Sequence, residues 1–215
     1  MIIKDIHKIL AGKWDDGTRP KDIYAKYVAE SPSAYVETII AGLQSDIARV
    51  QSGCAEIASL VSEAHPELLL RYEDLFLTNL AAKEPVLRWE AVCTLGNLAK
   101  ADKDGKVRSA IDSISAFLND KSIVLQGHSV RALSKIATTF PEEAKKIQRL
   151  LITSKNRFPG NRIGFIIEAM ESFGGNRELA SISADFVEPY VQSDIRSVAT
   201  KARRVLKKLS TGRAP

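Results

Sequence analysis

Apolar residues recur along this chain at intervals of three and four. Ala91, Leu95 and Leu98 form one such stripe, and Val130, Leu133, Ile136 and Ala137 form another. That spacing marks one face of a helix with about 3.6 residues per turn. No alternating run is long enough for a strand, so the pattern predicts an all-α chain. Pro32, Pro66, Pro85 and Pro141 stand where first helical turns would begin, positions at which proline's missing N–H costs nothing. Glu67, Glu142 and Glu143 follow two of these prolines and place negative charge at the positive end of the helix dipole. Gly174, Gly175 and Asn176 are expected to supply left-handed conformations that end a helix, and Phe158-Pro-Gly-Asn161 is a comparable break. Stops this close together imply helical hairpins.

Self-comparison shows how the hairpins are related. Sliding Val86 to Ala99 forward by 38 residues lands on Val124 to Ala137, with Leu95 meeting Leu133 and Leu98 meeting Ile136. The same register falls on Gly53, Ile57 and Leu60 upstream, on Ile166, Met170 and Phe173 downstream, and then on Ala202, Leu206 and Leu209. Five copies thus share one apolar ladder, the mark of stacked repeats. One hairpin cannot hide its own stripe and must share it with the next. Residues 1–30 fit the repeat poorly. A helix over Ile2 to Leu10, a polar connector Gly12 to Pro20 and a second helix over Asp22 to Ala29 predict an N-terminal helical cap. The expected organisation is one domain: the cap, a repeat array over 31–210 and a tail over 211–215.

Glu84-Pro-Val-Leu-Arg-Trp-Glu-Ala91 resembles the opening of the second helix in HEAT repeats, where an acidic residue precedes an Arg and an Ala-Leu ladder. Asp120 and Asp194 stand near the equivalent opening in their copies, whereas Asn161-Arg-Ile-Gly-Phe-Ile in the fourth copy lacks the acidic turn. The resemblance covers roughly 31–210. It implies a right-handed α-α superhelix, a HEAT-like solenoid of about five hairpins whose second helices line a concave side. Three columns run along those helices: Ala55, Cys93, Arg131, Glu168 and Arg204; Ala58, Gly96, Ser134, Glu171 and Lys207; Ser59, Asn97, Lys135, Ser172 and Lys208. The candidate partner-binding residues are Trp89, Arg131, Lys135, Glu168, Glu171, Arg204, Lys207 and Lys208. Glu168 and Glu171 share a helix face and are expected to pair with Arg131 and Arg204, which makes an inter-repeat salt-bridge ladder the competing account of this surface. Trp89 is either an interface anchor beside a groove left open by its equivalents Gly127 and Gly164, or a space-filler between helices.

Composition adds one asymmetry. The chain has 215 residues, 45% hydrophobic and 27% charged, ordinary for a folded domain, with a net charge of +5. Residues 196–215 hold seven basic and no acidic residues, so residues 1–195, with 24 basic against 26 acidic, carry −2. A basic terminal helix suits phosphate or an acidic partner, and equally suits a solvated cap. No stretch approaches the ~18 apolar residues of a membrane span, and Met1 to Leu10 is broken by Lys4, Asp5, His7 and Lys8, so a cytoplasmic protein is expected.

Cys54 and Cys93 lack metal-site spacing and read as small buried thiols, while His7, His65 and His128 lie far apart without ligand partners. No catalytic residue, metal or cofactor is expected. The HEAT-like alkylpurine DNA glycosylases are similar in length and basicity, but their Trp-Trp-Asp cluster is missing; the only Trp-Asp step is Trp14-Asp15, outside the repeats. The leading expectation is a non-catalytic protein-interaction scaffold or adaptor that binds along the concave surface. Nucleic-acid binding through the basic C-terminal helix is the alternative, with the glycosylase reading behind it.

Overall fold

A computed structural model describes residues 5–211, and within them every regular element is helical. The chain forms two compact units that divide after Val107. The first holds α1 (Ile6–Leu10), α2 (Pro20–Ile23, continued by a π turn over Tyr24–Val28), α3 (Val36–Leu43), α4 (Ala48–Ala64), α5 (Glu73–Asn79) and α6 (Pro85–Leu98). The second holds α7 (Ile111–Ala116), α8 (Ile123–Thr139), α9 (Pro141–Thr153), α10 (Ile163–Ala169), α11 (Arg177–Val187) and α12 (Arg196–Thr211). Residues 1–4, the start of the expected first cap helix, and 212–215, most of the expected tail, lie outside the described residues. No helix is long and apolar enough to cross a membrane among the described residues.

The hairpins pair α3 with α4 and α5 with α6 in the first unit, then α7 with α8 and α11 with α12 in the second, while α9 packs on α8 and meets the fourth second helix at its 3-10 end, Met170–Phe173. Second helices stack on second helices, α4 on α6 in one unit and α8 on α10 on α12 in the other. The ladder fills these seams. Ile57, Leu95, Leu133, Ile136, Ile166, Met170 and Ala202 are fully buried, and Leu98, Phe173 and Leu209 nearly so. Buried amides tie repeat to repeat where apolar contact ends. Asn97 donates from α6 to Ser62 Oγ (2.9 Å) and the Ser59 carbonyl (3.2 Å) of α4, and Gln148 donates from α9 to the Leu179 carbonyl (2.7 Å) and Ser183 Oγ (2.8 Å) of α11. Each of these amides is hydrogen-bonded, which offsets the desolvation cost of burying it.

A shared side-chain turn sets where second helices begin. A side-chain oxygen accepts from the backbone N–H two residues on: Ser45 from Ile47 (3.1 Å), Glu84 from Val86 (3.2 Å), Asp120 from Ser122 (2.7 Å) and Ser193 from Ile195 (3.3 Å). Short polar side chains favour such local bonds over helix propagation, so the preceding chain stops and the next helix starts in fixed phase. The fourth hairpin uses backbone instead. Pro159 and Gly160, at φ 64°, turn the chain into a 3-10 segment, and α10 is a short helix bracketed by 3-10 turns over Gly160–Arg162 and Met170–Phe173.

The first two helices dock on the first hairpin, α1 on α3 and α4 and α2 on α4. His7 Nε2–H donates to the Thr38 carbonyl (2.7 Å), Arg49 reaches the Gly12 carbonyl (2.6 Å), and Leu10 lies against Gly53, where a Cβ would come within 2.4 Å of Leu10 Cδ2. Two expectations need correction. Gly174, Gly175 and Asn176 adopt no left-handed conformation: Gly174 has φ −64° and Asn176 φ −117°. The preceding helix tightens into its 3-10 turn and ends there, and Asn176 serves instead as N-cap of α11, accepting from Leu179 N–H at 3.0 Å. The chain after Pro66 does not start a continuous helix either; two 3-10 turns, Pro66–Leu68 and Leu70–Tyr72, precede α5.

Leu133 is fully buried at a seam of α8. Leu133→Ala should cost about 2–5 kcal/mol of unfolding free energy once the cavity is counted. Urea denaturation of the two proteins checks this; a loss below about 1 kcal/mol would show that the seam is not packed as described.

Candidate partner-binding face

From α6 onward each second helix offers a trio at i, i+3 and i+7 along one face: Glu90, Cys93 and Asn97; His128, Arg131 and Lys135; Phe165, Glu168 and Ser172; Lys201, Arg204 and Lys208. All but Asn97 are half-buried or exposed. The sequence columns had picked out the second and third member of each trio. They missed the first, Glu90, His128, Phe165 and Lys201, because four unrelated residue types occupy that position. The available signal was Gly164: a glycine on a packed face leaves room for a long neighbour, here Lys201.

In the second unit the face is a lattice of charges around one ring. Lys201 Nζ and Arg204 Nη2 each reach Glu168 at 2.8 Å; Arg204 Nε lies 3.4 Å from Glu171, and Lys208 Nζ 2.6 Å from it. α12 is thereby laced to α10. Burial alone would raise the Glu168 carboxyl, but hydrogen bonds from Lys201 and Arg204 outweigh it and hold the group below the usual carboxylate range. These pairs are largely exposed, so each contributes little to stability and mainly fixes geometry.

The expected pairing of Glu168 with Arg204 is found. Arg131 is not in that ladder: its guanidinium stands over the Phe165 ring at 5.9 Å, and Lys201 Nζ approaches the same ring at 5.9 Å. Phe165 intervenes between Arg131 and the carboxylates, and cation–π attraction takes the place of the ion pair. Lys135, Lys207 and Lys208 are exposed, and Glu171 is half-buried. The expected opening at Gly127 and Gly164 is filled. A Cβ on Gly127 would stand 3.2 Å from Phe165 Cζ, and one on Gly164 3.0 Å from Lys201 Cδ.

In the first unit Trp89 is half-exposed, and its indole N–H donates to Glu90 Oε1 at 3.1 Å. Glu90 faces Glu56 of α4 and pairs with no cation among the described residues. Burial pushes its carboxyl up to about 7 against the pull of hydrogen bonds from Ser59 and Trp89, and the Glu56 charge raises it further. His128 is displaced the other way, lowered by burial and then by the Arg131 charge. Burial raises the Cys54 thiol to about 12, which leaves it unreactive at neutral pH. Among the described residues no group of three His, Cys, Asp or Glu side chains is placed to hold a metal.

No family model matches the sequence, and no curated protein matches it. Solved structures do. A designed armadillo repeat protein superposes with TM-score 0.65 at 13% identity, over 97% of this chain and 100% of its own. A second designed armadillo repeat protein, in complex with the peptide (KR)4, gives 0.64 at 15% identity over 96% and 91%. A chain from a structure concerning a phosphorylation switch in the interaction between cadherin and beta-catenin gives 0.57 at 16% identity, over 98% of this chain and 45% of its own. At these identities the likeness shows the fold: an armadillo-like helical repeat solenoid.

The Glu90 carboxyl titrates near 4.5 when unfolded and near 7 when folded. The folded state therefore holds the extra proton between those values, and the resulting stabilisation is complete below pH 4.5 and lost as pH rises through 7. Glu90→Gln, which mimics the protonated acid, should gain on the native chain by on the order of 2 kcal/mol between pH 5 and pH 8. Urea unfolding at the two pH values measures this, and a pH-independent difference between the proteins would contradict a raised Glu90.

Proposed function

We propose that this chain is a non-catalytic protein-binding scaffold or adaptor that receives its partner on the second-helix face. The carrying observation is the division of labour on each second helix. One face is consumed by the dry ladder, while the i, i+3, i+7 trio beside it keeps charged and aromatic groups accessible on a rigid support. Residues held at fixed spacing lose little freedom on binding, which favours recognition of an extended chain. Trp89 contributes in the first unit; Arg131, Lys135, Glu168, Glu171, Arg204, Lys207 and Lys208 contribute in the second. Two of the fold neighbours concern a bound peptide or protein, which supports the same reading.

The test is a combined Trp89→Ala, Arg131→Ala and Glu168→Ala variant. These positions lie outside the ladder, so cooperative thermal unfolding should persist with a modest shift. Affinity capture with quantitative mass spectrometry should then show specific partners of the native chain depleted with the variant. Identical partner sets would discredit this face.

A further inference from the structure

The two units carry opposite charge. Residues 1–107 hold 13 basic and 16 acidic residues, leaving 18 basic against 10 acidic in residues 108–215, or −3 and +8. Within the second unit the excess gathers on the face already described: Arg131 and Lys135 on α8, Lys201, Arg204, Lys207 and Lys208 on α12, with only Glu168 and Glu171 between them. Arg131 and Lys207 are exposed and have no ion-pair partner among the described residues. We infer that the α8–α10–α12 face takes an acidic peptide segment in extended conformation, with carboxylates spaced about six residues apart so that they meet α8 and α12. This rests on the protein-binding reading above and names the chemistry of its partner.

Three observations select that ligand. Side-by-side helices lie ~8–10 Å apart. A polyproline-type chain advances ~3.1 Å per residue and returns to the same side every third residue, so acids about six residues, or ~18 Å, apart reach α8 and α12 and pass over α10. Next, Phe165 is a half-exposed ring at the middle of the face with Arg131 and Lys201 each 5.9 Å from its centre. It offers an apolar shelf between two cations, suited to the aliphatic residues between spaced acids. Finally, Glu168 and Glu171 interrupt the positive surface while holding Lys201, Arg204 and Lys208 in place. A nucleic-acid backbone, with its closely spaced phosphates, would be repelled at those two carboxylates; a peptide with spaced acids passes over them.

Fluorescence anisotropy with the full chain tests this. The probes are a labelled synthetic peptide carrying glutamate at every sixth position with alanine and proline between, its glutamine counterpart, a lysine counterpart, and a labelled duplex oligonucleotide. The glutamate peptide should bind saturably and the glutamine peptide at least about tenfold more weakly. Arg131→Glu with Lys207→Glu should weaken the glutamate peptide by about tenfold, the sum of two exposed charge pairs lost and replaced by repulsion. Lys121→Glu with Arg149→Glu, the same change of net charge at exposed sites off the face, should leave binding within about twofold.

Equal binding of the glutamate and glutamine peptides, equal effects of the two reversal pairs, or tighter binding of the duplex at matched salt would each overturn the inference. Binding of the glutamine or lysine peptide that is lost in the Arg131 and Lys207 variant would overturn only the acidic chemistry and leave the protein-binding face standing. If no peptide binds while the folded chain melts cooperatively, the face itself fails along with its proposed ligand.

Discussion

The structure depends on an apolar stripe that no single hairpin can cover. Leu95 and Leu98 on α6, or Leu133 and Ile136 on α8, would remain wet in an isolated pair, and burial of each contributes roughly 1.5–3 kcal/mol only when a neighbour closes over it. This demand fixes which helices touch, second on second within each unit, and leaves the opposite choice, side chains facing solvent, largely unconstrained. Turns follow the same logic. Ser45, Glu84, Asp120 and Ser193 each stop the chain with one side-chain bond, so α4, α6, α8 and α12 start with their ladders already turned toward their neighbours.

Charge on the accessible face obeys a different rule. In the second unit each carboxylate of the face has found cations: Glu168 and Glu171 are shared among Lys201, Arg204 and Lys208, and the ionised form of Glu168 is favoured. In the first unit Glu90 has found none and resists ionisation, held by an indole N–H and a serine rather than by a cation. The first trio position in one unit thus holds a group that retains its proton, and the second position in the other holds one that sheds it readily. Neither arrangement disturbs the ladder beneath.

Much of the fold was legible because burial is a periodic demand and leaves a periodic mark. The register that matched Leu95 to Leu133 also placed Ala202 and Leu209, and both are buried. Pairing of Glu168 with Arg204 was legible for the same reason, since equivalent positions on adjacent helices are neighbours. Arg131 was misassigned because the register names neighbours without saying what stands between them, and Phe165 stands there. The trio positions occupied by Glu90, His128, Phe165 and Lys201 escaped notice because nothing about their side chains repeats. Gly174 and Gly175 misled for a local reason: glycine permits a left-handed stop without requiring one, and the 3-10 turn Met170–Phe173 had already ended the helix.

The i, i+3, i+7 trios interleave with the ladder without sharing a residue. Trio and ladder positions on one helix can therefore be exchanged largely independently, except where a trio side chain reaches the neighbouring helix, as Asn97 does to Ser59 and Ser62 and Lys201 does to Gly164. A chain built this way can alter its accessible face one helix at a time while its folding free energy drifts little, and duplication of a hairpin would lengthen that face without requiring a new core.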